Sequence, residues 1–348
     1  MQEANYKNKM KYYSTFFAGA SNVIIGFLKK DIDVDIINGF DGLVEYSTRE
    51  PIERVLKIPY FQNTFAIIKS QHCPINNMLM NLVKDKSITN DIKRVHDFLH
   101  LSKHTFRVVI SDENSLVSVK DNVLCELENR ISMVTRMTVN RRNPDCQFWI
   151  LHRSEGVSYF SLRCTSLKKN DKERAAGELR PQIAYLLARL SDPQENELFL
   201  DPFCGSGAIP IARAKMKKTG LVFATDISES LVHDLKEKVK SIGLKKRIVV
   251  KQADALNLHF QDCCIHKIVS DPPWGLYEHI DDINQFYIRM LNEMHRVLIC
   301  GGLLIILVAN NDVFPRVLQK FSDKFKIENQ FDVLISGKKA SLYKIKKM

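Results

Sequence analysis

From residue 198 onward, short apolar runs alternate with amphipathic stretches. Residues 198–200, 221–225, 248–251, 265–270 and 303–308 are dominated by Val, Ile, Leu, Phe and Ala, and turn residues bound each run. That is the pattern of strands buried on both faces. Helical spacing fills the gaps from about residue 207 and over 229–241, 282–297 and 312–321. Residues 332–335 and 341–345 close the chain as an antiparallel pair of strands. Repeated β–α units predict an α/β, doubly wound sheet with its ligand at the carboxyl ends of the strands.

Upstream the pattern is mixed. Residues 11–17 read as a strand and 21–30 as a helix with Ser21 as its N-cap. Strands at 34–37 and 43–46 flank the turn signal Asn38-Gly39-Phe40-Asp41-Gly42. Residues 52–165 predict a second α+β region. It has helices at 75–83, 89–101 and 117–135, a strand at 105–110, and paired strands at 147–152 and 157–163. Residues 166–177 are polar and charged, with little to bury. The expected division is an N-terminal α+β subdomain at 1–52, a second α+β domain at 53–165, a linker at 166–178 and the doubly wound domain at 179–348. Gly301-Gly302 are expected to turn the chain into its fifth strand. Cys263-Cys264 read as buried packing, and Phe16, Phe17, Phe321 and Phe325 as core.

Composition narrows the class. The chain has 348 residues, 45% hydrophobic and 26% charged, which excludes wholesale disorder. Its 8 cysteines form no C-x-x-C pair, so they are expected to be free thiols in a reducing compartment. His96, His100 and His104 share a helical repeat, but no further ligand completes a set, and no metal is expected. The net charge of +11 is spread over both halves, +5 through Glu178 and +6 beyond it. That favours an anionic partner such as nucleic acid. The longest apolar run, 303–309, falls far short of the roughly 20 residues that span a bilayer. Lys7, Lys9 and Lys11 before an apolar stretch faintly resemble a leader, but Ser21 and Asn22 interrupt it. A cytoplasmic protein without a membrane or an obligate protein partner is expected.

Four strand ends carry candidate chemistry. Asp201-Pro202-Phe203-Cys204-Gly205-Ser206-Gly207 follows the first strand. Its glycines permit close backbone approach, its N–H groups suit a carboxylate, and Asp201 suits an ammonium. A dinucleotide would want Gly where Pro210 stands, so a zwitterionic amino-acid ligand fits better. Asp226, with Ile227, ends the second strand and suits a ribose diol; a helix cap is the other reading. Asp254-Ala255 follows the third, where Asp254 suits an adenine amine, or is a surface Asp. Asp271-Pro272-Pro273-Trp274 follows the fourth. The Asp271 carboxylate and the Pro272 carbonyl can both accept from one exocyclic amine, while Trp274 stacks on the base.

Together these motifs resemble class I S-adenosylmethionine-dependent methyltransferases that modify planar nitrogen. Glu178-Leu179-Arg180-Pro181-Gln182-Ile183-Ala184, placed just before Asp201, is similar to the THUMP-domain RNA methyltransferases of the tRNA guanine-N2 type. Val139-Asn140-Arg141-Arg142-Asn143-Pro144-Asp145 resembles the end of a THUMP module, and the closing strands resemble that family's final hairpin. The resemblance covers the second half well and the first half loosely. It implies a Rossmann-like class I methyltransferase fold with an antiparallel end strand, preceded by a THUMP-like RNA-binding domain at 53–165. It implies S-adenosylmethionine on Leu179, Arg180, Asp201, Pro202, Phe203, Cys204, Gly205, Ser206, Gly207, Asp226, Ile227, Asp254 and Ala255. Asp271, Pro272, Pro273 and Trp274 would orient a flipped guanine in structured RNA, with the tRNA acceptor stem as the expected target. Lys103, Arg107, Arg136, Arg141 and Arg142 are candidate phosphate contacts. Adenine N6, a ribosomal RNA guanine and a catalytically idle RNA-binding module are the alternatives.

Overall fold

The computed structural model describes residues 9–99, 103–119, 122–166, 178–217, 220–275, 280–309, 311–335 and 337–348. The chain divides into two compact units. One comprises Met1–Phe16 with Ser21–Lys172, the other Phe17–Ala20 with Glu173–Met348. Among the described residues no helix is long and apolar enough to cross a membrane.

The first unit contains β1 (Met10–Thr15), α1 (Ser21–Asp31), β2 (Asp35–Phe40), β3 (Leu43–Thr48), α2 (Ile52–Val55) and β4 (Asn63–His72). It continues through α3 (Ile75–Lys84), α4 (Ile88–Phe98), β5 (Thr105–Asp112), β6 (Ser115–Leu116), α5 (Asn122–Thr135), β7 (Thr138–Val139), β8 (Cys146–His152) and β9 (Val157–Arg163). One sheet runs β2-β3-β1-β4-β9-β8-β5-β6, with β7 beside β5. The expected boundary at residue 52 therefore falls inside a single unit. β4, a strand the sequence pattern did not suggest, pairs with β1 on one side and β9 on the other. A boundary there would cut a continuous hydrogen-bonded ladder.

Local details differ from expectation for local reasons. Ser21 is the first residue of α1, and its hydroxyl donates to the Phe40 carbonyl at 2.8 Å. β2 runs on through Asn38 and Gly39 by way of a bulge, leaving only Asp41-Gly42 for the turn. α5 starts at Asn122, five residues later than the apolar spacing suggested.

The second unit contains α6 (Pro181–Leu190), β10 (Phe199–Asp201), α7 (Ala208–Ala214), β11 (Val222–Asp226), α8 (Glu229–Ser241), β12 (Ile248–Gln252) and β13 (Ile265–Ser270). α9 (Ile283–Val297), β14 (Leu298–Ala309), α10 (Val313–Gln319), β15 (Phe325–Ile335) and β16 (Lys338–Lys347) complete it. Among the described residues its strands are ordered β12-β11-β10-β13-β14-β16-β15. β10 to β14 are parallel, and β16 inserts antiparallel between β14 and β15. The strand order reverses between β10 and β13, so a crevice opens beyond their carboxyl ends.

The core explains the apolar runs. Leu304, Ile306 and Val308 of β14 pack with Tyr287, Met290 and Phe314 of α9 and α10. Ile305 and Leu307 between them are equally buried, so both faces are covered. Phe16, Phe17, Phe321 and Phe325 are buried as expected. Gly301-Gly302 do not precede the fifth strand but lie inside β14, where Gly301 adopts φ +76° and the register against β13 slips. Cys263 is exposed with φ +50° rather than buried, and Cys264 is half-buried. Most of the expected linker lies outside the described residues.

One buried ion cluster locks β10 to its neighbours. Glu197 meets Arg213 at 3.2 Å and Lys267 at 3.3 Å, and Arg213 is fully buried over the Phe199 ring. Breaking a buried pair on one side leaves charge uncompensated, which costs about 3–5 kcal/mol. Glu197→Ala is expected to lose that much in a urea unfolding curve. A loss below about 1 kcal/mol would mean that solvent already screens the cluster.

Candidate active site

The carboxyl ends of β10, β11 and β13 hold three aspartates. The parallel registers place Asp201 beside Ala224 of β11 and Leu200 beside Ile268 of β13. Asp201 and Ser270 end neighbouring strands, and the Ser270 hydroxyl donates to Asp201 Oδ1 at 2.6 Å. Asp201 is 1% exposed, and its carboxyl is pushed up to about 7. Burial is the main cause, and the charges of Asp271 and Asp226 add to it. Asp271 is also pushed up to about 7 by burial, against the pull of the Trp274 indole N–H, which donates to Oδ1 at 2.9 Å. Repulsion among these carboxylates makes the site a host for positive charge.

The sign for stability follows from the direction of the Asp201 shift. Its folded pKa lies above that of a free Asp, so the stability it confers is full at low pH and is lost as pH rises through about 7. Asp201→Asn is expected to come close to the wild type at pH 4 and to melt several degrees higher at pH 8, with a ceiling of about 4 kcal/mol. Thermal melts at the two pH values check this. An equal difference at both would refute it.

The glycine turn is more self-contained than its sequence suggested. Gly205 N–H donates to Asp226 Oδ2 at 2.9 Å, Phe203 N–H to Asp201, Cys204 N–H to the Thr225 carbonyl and Gly207 N–H to the Cys204 carbonyl. These donors are therefore spent inside the protein and do not wait for a ligand carboxylate. Asp226 also accepts from Ser228 N–H with its other oxygen. Each carboxylate oxygen has two lone pairs, so both can still accept from a diol. A side chain added at Gly205, which has φ +47°, would meet nothing within 4 Å, so this part of the turn is open.

The other predicted residues fall around this frame. The Arg180 carbonyl starts α6 by accepting from Ile183 and Ala184, and Leu179 beside it is half-buried. Pro202 and Cys204 are buried, and Phe203 packs on Phe286 at 5.9 Å. Ser206 donates to Glu178 at 3.0 Å, and Lys238 donates to the Ser206 carbonyl. Ile227 is 70% exposed, Ala255 is buried, and Asp254 Oδ1 accepts from Leu256 N–H. Pro272 is buried and Pro273 half-buried. Lys238 was not among the residues singled out, and Glu178 and Ser270 were read only as the first residues of their segments, with no role of their own.

In the first unit, β7 runs parallel to the start of β5, which brings the chain around Lys103–Arg107 beside the chain around Arg136–Arg142. Lys103, Arg136 and Arg142 are exposed. Arg141 pairs through Nη2 with buried Glu128 at 2.7 Å, while its side chain stays 66% exposed. Arg107 is half-buried, with its Nε buried and without a hydrogen-bond partner among the described residues.

Comparison with known proteins places this geometry. Residues 170–340 match the family model described as UPF0020, RMKL-like, methyltransferase domain. The chain is 30% identical over 178 residues to the U6 snRNA (guanine-N(2))-methyltransferase THUMPD2 of Bos taurus, covering 49% of this chain and 33% of that one. It is 26% identical over 197 residues to the tRNA (guanine(6)-N2)-methyltransferase of Methanocaldococcus jannaschii, covering 46% and 51%. The match thus spans a third to a half of the length of these relatives. TrmN from Thermus thermophilus superposes with a TM-score of 0.77 at 20% identity, over 97% of this chain and 100% of that one. The fold is that of the class I methyltransferases, an α/β sheet whose antiparallel strand, β16, is the last in the chain but lies inside the sheet, between β14 and β15, and not at its edge.

Proposed function

We propose that this chain is an S-adenosylmethionine-dependent RNA methyltransferase that modifies N2 of a guanosine in tRNA, with the acceptor stem as its target. The observation that carries this reading is Asp271-Pro272-Pro273-Trp274 at the end of β13, adjoining buried Asp201 at the end of β10. The names of the relatives from Bos taurus and Methanocaldococcus jannaschii support guanine N2 as the target atom.

The residues present fit the cofactor. The open face at Gly205 gives its methionine part room, and the acidic cluster suits its positive charge. On this reading Asp201 and residues 202–207 hold the methionine part, Asp226 and Ile227 the ribose, and Asp254 and Ala255 the adenine, with Leu179 and Arg180 alongside. When bound, the cofactor supplies an electrophilic methyl group on a sulfonium. The chain supplies position. Asp271 and the Pro272 carbonyl accept the two hydrogens of the guanine amine and aim its lone pair, which ring delocalisation otherwise weakens. Trp274 fixes Asp271 through the indole N–H and offers its ring to the base. With its carboxyl pushed up to about 7, Asp271 is suited to take the released proton.

The first unit is read as a THUMP-like RNA-binding module. Lys103, Arg107, Arg136, Arg141 and Arg142 are its phosphate contacts, with Arg141 held by Glu128 through Nη2. A cytoplasmic location fits this role. The test is tritiated S-adenosylmethionine with tRNA lacking modifications and, in parallel, a U6 snRNA transcript. Label in N2-methylguanosine from tRNA is expected. Label in the U6 transcript alone moves the substrate to the one named in the Bos taurus relative. Label in another nucleoside overturns the base, and no label on either RNA overturns the reading.

A further inference from the structure

The loop after β12 carries Asp254 and Ala255, and it contains no regular element of its own. It is tied from behind by one side chain of α9. Arg296 Nη2 donates to the Leu258 carbonyl at 2.9 Å and Nη1 to the Phe260 carbonyl at 2.8 Å. Two further bonds, at 2.9 and 2.6 Å, run to the carboxylate of Glu293 one turn earlier. Glu293 in turn accepts from Leu258 N–H at 2.6 Å. Arg296 also meets Asp262 at 2.7 Å, but Asp262 is 74% exposed and water screens that pair. Glu293 is 12% exposed, so its bonds carry the weight. On the other side of the loop, Phe260 packs edge-on against Phe223 of β11 at 5.1 Å.

Neither Arg296 nor Glu293 stands at a strand end or in a motif. A rigid fork of donors on two loop carbonyls and a carboxylate is a task that Arg performs and Lys does not, because an ammonium lacks the planar geometry. We propose that Arg296, oriented by Glu293, is a positioning residue that holds the 254–262 loop against the adenine end of the bound cofactor. The inference rests on the cofactor reading above. It adds a determinant of cofactor affinity that lies outside the pocket and touches neither cofactor nor RNA.

The test uses the full chain and S-adenosylhomocysteine in a calorimeter, well below the melting temperature. Arg296→Lys is expected to weaken binding tenfold or more, equivalent to about 1.4 kcal/mol. Inhibition by adenosine is expected to weaken in parallel, because the loss lies at the adenine end. In turnover, KM for the cofactor is expected to rise while kcat at saturation stays within about threefold and KM for RNA is unchanged. Should Arg296→Lys fail to fold, Glu293→Gln keeps an acceptor for Leu258 N–H and is expected to show the same split. An unchanged affinity alongside a lowered melting temperature would make Arg296 merely structural and overturn the proposal. A drop in kcat with unchanged KM would overturn it as well. A wild type that binds no S-adenosylhomocysteine would overturn the cofactor reading itself, and this inference with it.

Discussion

Asp271→Ala is expected to lower methyl transfer by about 10²–10³-fold while the affinity for S-adenosylhomocysteine stays within about threefold. The magnitude is that of removing one preorganised polar group from a reacting centre. The affinity holds because the residues assigned to the cofactor lie just before α6, at the ends of β10 and β11 and in the loop after β12, whereas Asp271 follows β13. Asp271→Asn separates charge from geometry. The amide oxygen can still accept from the Trp274 indole and from a substrate amine, so this variant is expected to keep more activity than Ala. It should also lose a pH dependence. The wild-type carboxyl, pushed up to about 7, is protonated below that value and then cannot take up the proton that the amine releases. Turnover should therefore rise with pH through about 7 in the wild type and run flat there in Asp271→Asn. Single-turnover rates between pH 5.5 and 8.5 check both points. An Ala variant with wild-type rates would remove Asp271 from the chemistry.

Gly207→Val is expected to lose both stability and cofactor binding. Gly207 has φ +84°, in the left-handed region that costs an L-residue about 1–2 kcal/mol, and more for a β-branched one. A Cβ there would also stand 2.1 Å from Leu235 Cδ1. Leu235 is 1% exposed on α8, so it has little room to retreat. Overpacking of this kind adds about 1–3 kcal/mol. The clash would displace the turn that ends at Gly207, where Gly205 N–H meets Asp226. A loss of about 2–4 kcal/mol in urea unfolding is expected, with at least tenfold weaker binding of S-adenosylhomocysteine. Gly205→Ala is the contrast. It too has a positive φ, but its side chain would meet nothing within 4 Å, so about 1 kcal/mol is the whole expected cost to stability. Equal losses in the two variants would mean that Leu235 yields freely.

The second unit was legible because its chemistry is local in sequence. A parallel strand buried on both faces must be a short apolar run, and a ligand at its end must be met by the next few residues. β13 and α8 were delimited to the residue, and Asp201, Asp226, Asp254 and Asp271 all lie at or just beyond strand ends as read. The first unit was less legible because its pairings are remote. Tyr12 of β1 lies opposite Ala66 of β4, and Ala66 lies opposite Leu162 of β9. No periodicity within β4 announces those partners, so one sheet read as two regions.

The amino-acid sequence by itself determined the alternation of elements, the carboxylates at the strand ends and the Asp-Pro-Pro-Trp group, since apolar spacing and backbone restriction act over a few residues. Only the tertiary structure decided how these groups are used. The Ser270–Asp201 bond spans 69 positions, the Gly205–Asp226 bond 21, and the Arg296 hold on the Leu258 carbonyl 38. Hydrogen bonds at such separations depend on which strands become neighbours, and packing of the whole sheet sets that order.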